Sequence, residues 1–166
     1  MPPVPSLPRP PKPPSNPDAL KGDTIQYRGG YKYSLWETYR VQLGYIRGHT
    51  VAHRLFTLDA NGWLTVFADY PWDGPSGPTI DTPSFMRGSL VHDVLYEMLR
   101  LGLLPHDPCF HQANLELLAI CLQDGMWRWR ASIVYEAVED FGSASAVIRP
   151  ERIITAPKLA MERHDT

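Results

Sequence analysis

Thiols are scarce in this chain of 166 residues, which holds only Cys109 and Cys121. The two lie on what reads as a single helical stretch, about 18 Å apart at about 1.5 Å per residue. A disulfide needs Cα atoms within about 7 Å, so no bridge between them is expected. No second thiol pair completes a zinc site, and both cysteines read as small buried hydrophobes. This usage suits a protein made in a reducing cytoplasm. Long apolar runs are missing too: none approaches the roughly 18–20 residues that span a bilayer. The proline-rich N-terminus has no apolar signal-peptide core, so neither membrane insertion nor export by its own targeting segment is expected. Finally, charge of one sign is lacking. Sixteen basic and 18 acidic residues are interspersed for a net charge of -2, which gives no electrostatic reason to expect nucleic acid or an anionic membrane surface.

What is present points to one folded domain with appendages. Hydrophobic residues make up 43% and aromatics 11%, enough for a core, and the length fits a single domain. Nine of the 17 prolines fall within residues 2–17. Each removes an amide donor and restrains φ, so this stretch cannot be a helix or a central strand. It favours extended polyproline II, reaching about 50 Å at about 3.1 Å per residue. Such an arm has no internal hydrogen bonds and is ordered most simply by lying on another protein. The expected organisation is an arm over 1–22, an α+β domain over 23–142 and a tail over 143–166.

Residues 24–68 read as β structure. Segments 24–28 and 31–36 flank Gly29-Gly30, and Tyr31, Tyr33 and Leu35 alternate on one face. Segment 39–46 alternates Val41, Leu43 and Tyr45. Segments 54–58 and 63–68 flank Asp59-Ala60-Asn61-Gly62, whose Asn-Gly pair is a strong hairpin signal. A small antiparallel sheet of four or five strands is predicted. Residues 69–81 form a loop rich in proline and glycine. Three helices follow, over 83–103, 107–123 and 126–141. Thr82 or Ser84 can cap the first and Pro83 suits its first turn, while Gly102 and Asp124-Gly125 suit helix ends. The second has Leu115, Leu118, Ala119 and Leu122 on one stripe. For the third, Trp129, Ile133, Ala137 and Val138 are the expected apolar stripe. In Trp127-Arg128-Trp129-Arg130, one tryptophan is expected inward and both arginines outward, in preference to base stacking. His106 and His111 read as helix-start polarity beside Asp107 rather than as metal ligands, and His49 and His53 show no evident partner.

The residues that could carry chemistry lie in the loop and the first helix. His92 and Tyr96, four apart, share a helix face, and Ser89 lies one turn earlier. Asp93 sits about 100° round from His92. Gly74 and Gly77 in the upstream loop could bring backbone carbonyls close to a cation. As a structural alternative, His92 and Tyr96 would form a buried hydrogen-bonded cluster.

The His92, Asp93 and Tyr96 pattern resembles the helix of secreted and parvoviral phospholipases. That resemblance implies His92 as general base, Asp93 as a calcium ligand, and carbonyls near Gly74 and Gly77 completing the site. In those families a carboxylate on a neighbouring antiparallel helix orients the histidine. Here the corresponding segment reads Phe110-His111-Gln112-Ala113-Asn114, with an amide where a carboxylate is needed. A wider resemblance covers residues 55–142. Asp73-Gly74-Pro75-Ser76-Gly77-Pro78, then His92, Asp93 and Tyr96, then Ala113, Arg130-Ala131, Tyr135-Glu136-Ala137-Val138 and Phe141-Gly142 are similar to an uncharacterised family encoded in tailed phages and prophages. Asn114 departs from that family's Ala-Asp pair. This resemblance implies a phage origin and a shared fold. Together with the proline-rich arm, which lies outside the match, it leads to the expectation of a virion protein of the tail or tail tip, held among other phage structural proteins through residues 2–17, with no cofactor. Asp73, Gly74, Ser76 and Gly77 would be its binding loop. The rival expectation is a calcium-dependent phospholipase or esterase using His92 and Asp93.

Overall fold

The computed structural model describes residues 27–28, 33–74 and 82–148. The predicted α+β class is correct, but the strands form two antiparallel sheets where one was expected. Strands β1 (Tyr27–Arg28), β2 (Tyr33–Leu35) and β7 (Pro71–Trp72) form the first sheet, in the order β1-β2-β7. Strands β3 (Tyr39–Gln42), β4 (Val51–Ala52), β5 (Phe56–Leu58) and β6 (Trp63–Val66) form the second, in the order β3-β6-β5-β4. The chain changes sheets between Leu35 and Tyr39. Leu35 exchanges backbone hydrogen bonds with the 69–70 segment, at 3.0 Å to Tyr70 and 2.7 Å from Asp69. Tyr39, by contrast, pairs with Val66. Strand β7 lies inside the predicted loop. Its proline is tolerated because β7 is an edge strand, where no second neighbour needs its amide.

The predicted hairpin forms between β5 and β6. Asp59 Oδ1 accepts from the Asn61 and Trp63 amides at 2.9 and 3.0 Å, and the backbone of Asp59 pairs with Trp63 at 3.0 Å. The strand predicted over 39–46 stops at Gln42. Beyond it, the Tyr45 and Ile46 amides turn away to the buried carboxylate of Glu116.

The helices are α1 (Pro83–Arg100), α2 (His106–Gln123), α3 (Arg128–Phe141) and the short α4 (Ser143–Ala146). Pro83 occupies the first turn of α1 as expected, although Thr82 makes no side-chain cap bond. Both predicted glycine stops are real. Gly102 and Gly125 adopt φ of 68° and 83°, a left-handed conformation that costs glycine little. The following amides then reach back: Leu103 to Met98 O at 2.8 Å, and Met126 to Cys121 O at 2.9 Å. The fold also runs past 142, since α4 buries Ala146 in the main core.

Helix α1 is central. Its apolar residues join the sheets and α2 in the larger core, while Phe85 joins Leu117, Cys121, Met126, Ala131 and Val134 in a smaller one. Gly88 lets α1 and α2 approach closely: a Cβ there would lie 2.8 Å from Cys121 Sγ and 3.1 Å from Leu117 Cδ1. Gly88→Val should therefore lower the unfolding free energy by about 2 kcal/mol through overpacking. Urea unfolding monitored by circular dichroism would measure this, and an unchanged midpoint would contradict it.

Helix α3 buries a different face from the one expected, and only Val138 of the expected stripe packs inward. Ala131 and Val134 are buried, with Tyr135 and Val138 packed against the same cluster. Trp129 and Ile133 are instead 60% and 56% exposed, and Trp127 is 72% exposed. The expectation of one inward tryptophan is thus overturned. Two apolar stripes compete on this helix, and the smaller side chains fit against α1 and α2.

Candidate functional site

The helix carrying His92, Asp93 and Tyr96 sends its polar groups in two directions. His92 and Tyr96 turn towards α2 and α3. His92 is 8% exposed, and its Nε2 lies 2.8 Å from Oδ1 of Asn114, which is wholly buried. Tyr96 donates its hydroxyl to the same oxygen at 2.8 Å, and its ring lies 4.0 Å from the His92 ring by centroids. Asn114 Nδ2 donates to Glu139 Oε1 at 2.8 Å. That contact sets the amide orientation, because a carboxylate requires a donor. Oδ1 is therefore the acceptor, and Nε2 of His92 carries the proton. The other oxygen of Glu139 lies 2.6 Å from His111 Nδ1, so the network continues to an exposed histidine.

Burial dominates the electrostatics of His92. Desolvation lowers its pKa to about 4, against a smaller opposing effect of the Asn114 hydrogen bond. A neutral ring in the interior, tied by an amide, is well suited to holding α1, α2 and α3 together. It is poorly placed to take a proton from an attacking water, since a useful base needs both access and a pKa near the working pH. The segment singled out in the sequence, residues 110–114, does supply the partner of His92. That partner is the amide of Asn114. The carboxylates of Glu116 and Asp140 do not take its place: Glu116 is engaged by the Tyr45 and Ile46 amides, and Asp140 is exposed.

Asp93 turns the other way, into a cleft of about 150 Å³ lined by Tyr70, Trp72, Asp73, Glu97 and Arg100. The Asp73 segment docks on α1 here: Trp72 Nε1 donates to Ser89 Oγ at 3.3 Å, and Asp73 makes a backbone hydrogen bond to Asp93. Tyr70 donates to Glu97 Oε2 at 2.6 Å. Desolvation, opposed by Arg100 and reinforced by the charge of Asp73, raises the Asp93 pKa to about 7. His92 and Asp93 consequently do not share one cleft, contrary to what the phospholipase resemblance implies. Gly74 is buried, and a Cβ on it would meet the Tyr33 ring at 2.5 Å. Ser76 and Gly77 lie outside the described residues. Among the described residues, no group of three histidines, cysteines or acids is placed to hold a metal ion.

These two shifts act on stability with opposite signs. The folded pKa of Asp93 lies above its ordinary 3.8, so the stability it contributes is present below about pH 4 and lost as pH rises to about 7. The folded pKa of His92 lies below its ordinary 6.5, so its contribution is present above about pH 6.5 and lost as pH falls to about 4. The two slopes largely cancel in the wild-type chain. Asp93→Asn should uncover the histidine slope and raise stability above pH 7 by about 2–3 kcal/mol, discounted for water in the cleft. Denaturant unfolding at pH 4 to 8 is the measurement. Parallel profiles for variant and wild type would refute the assignment.

Several partners of these residues carried no sequence signal. Glu139 lies 47 residues from His92, and Tyr70 lies 27 residues from Glu97. Arg87 is 5% exposed, binds Asp124 through Nε and Nη2, and also donates to Tyr39 and Gln123. Of the remaining histidines, His106 stacks on Phe110 and His49 lies 3.7 Å from Cys109 Sγ. No family model, curated protein or solved structure matches the chain.

Proposed function

We propose that this chain is a non-catalytic component of an assembly, specifically a bacteriophage virion protein of the tail or tail tip, made in the host cytoplasm. Residues 2–17 dock it on neighbouring structural proteins, and the His92, Asn114 and Tyr96 network serves as scaffold. One observation carries the non-catalytic part: the imidazole is buried, neutral and tied to an amide. The phage part rests on the motif series from Asp73 to Gly142. Among the described residues no helix is long and apolar enough to cross a membrane, which accords with a part held by protein contacts.

Mass spectrometry of purified particles of the encoding phage should find the chain at a fixed stoichiometry. Its absence from particles would end the virion reading. A calcium-dependent esterase is the second reading, favoured by the meeting of the Asp93 and Asp73 carboxyl groups at one cleft. Ester hydrolysis assayed with calcium should be at background for both wild type and His92→Ala. Calcium-dependent turnover that disappears in His92→Ala would reverse the order of the two readings.

A further inference from the structure

We infer that the proline-rich segment 2–17 of one copy docks on the exposed Trp127 and Trp129 face of α3 in a neighbouring copy. Trp129, Ile133, Glu136, Ala137 and Asp140 are all exposed and share one side of α3 at helical spacing. Trp127 stands beside them, its ring 6.4 Å from that of Trp129 by centroids and tilted by 60°. Contiguous open apolar surface of this kind marks an interaction site. Tilted, open indoles are the surfaces on which polyproline II segments seat, because the extended helix presents flat rings at low entropic cost.

The charges point to the same occupant. Arg9 and Lys12 are the only charged residues in segment 2–17, and the far end of the α3 face carries Glu136 and Asp140. Trp129 and Glu136 are about 10 Å apart along the helix, and a proline and a basic residue three positions apart in polyproline II span about 9 Å. Arg130 is drawn off this face by Thr82 Oγ1 at 3.1 Å, and the exposed Arg128 stands beside the indoles at the end of the helix away from Glu136 and Asp140. The occupant is the arm of a second copy, whereas an arm folded back on its own chain would leave the wild type monomeric. Such a contact is heterologous and propagates into a ring or a filament. It deepens the assembly reading, but its test uses only the purified chain, so either can fail without the other.

The test is complementation in trans, read by sedimentation velocity on full-length chains. Wild type should self-associate with rising concentration, and more weakly at high salt. An arm variant (Pro8→Ser, Pro10→Ser, Pro11→Ser) and a face variant (Trp127→Ser, Trp129→Ser) should each associate at least tenfold more weakly. Both positions in the face variant are solvent-exposed, so folding is retained; Glu136→Lys with Asp140→Lys is a second face variant that keeps the indoles. Mixed together, the arm and face variants should form pairs that stop at two chains, since one intact arm meets one intact face. A wild type that stays monomeric, variants that associate like wild type, or a mixture without pairs would each overturn the inference.

Discussion

Asn114→Leu is expected to destabilise the fold by about 4 kcal/mol, one of the two largest effects in this chain. Asn114 is wholly buried and serves three groups through one amide: His92 and Tyr96 at its oxygen, Glu139 at its nitrogen. Leucine has the same branched skeleton of four side-chain heavy atoms and is not smaller, so none of the cost comes from a cavity. Most comes from stranding the His92 N–H and the Tyr96 hydroxyl in the interior, at about 1–3 kcal/mol each. Glu139 is less affected because it keeps His111. The expected observation is a lower denaturant midpoint with an unchanged slope. A loss below about 1 kcal/mol would mean that the network is not a support of the fold. Asn114→Asp sharpens the comparison, because a carboxylate would stabilise the protonated imidazole and raise the His92 pKa, at the cost of repulsion from Glu139.

Arg87→Met is expected to cost about 3–5 kcal/mol, because it leaves a largely buried carboxylate without its partner. The guanidinium of Arg87 lies 2.7 Å from Asp124 Oδ1 through Nη2, and its Nε lies 3.0 Å from Oδ2. It also reaches Gln123 at 3.1 Å and the Tyr39 hydroxyl at 3.3 Å, so one side chain joins α1, the end of α2 and strand β3. The second substitution decides the interpretation. With Asp124→Asn added, the stranded charge is gone and most of the loss should be recovered. A double-mutant cycle from the four unfolding free energies isolates that coupling. Strict additivity would show that Arg87 acts through its stem or through Tyr39 and Gln123, and not through Asp124.

The helices were legible because their signals are local. Pro83 at a first turn and glycines at 102 and 125 mark helix ends through backbone geometry that needs no distant partner. The Asp59 to Gly62 hairpin is local for the same reason. The face of α3 was not legible, since Trp129 with Ile133 and Ala131 with Val134 both satisfy helical periodicity. Only the space left between α1 and α2 chooses between them. Strand β7 was likewise hidden, because Pro71-Trp72 reads as loop until β2 offers an edge to pair with.

By itself, then, the sequence determined the α+β class, the positions of the helix ends, the hairpin, and the fact that His92 and Asp93 stand on adjacent positions of one helix. Tertiary structure alone decided that these two side chains part company, one into the helical layer and the other into the cleft beside Asp73. The reason is that spacing sets direction only relative to the helix axis. What lies in each direction, an amide at 114 or a carboxylate at 73, depends on chain segments 20 or more residues away, and so does whether a titratable group becomes a support or a reagent.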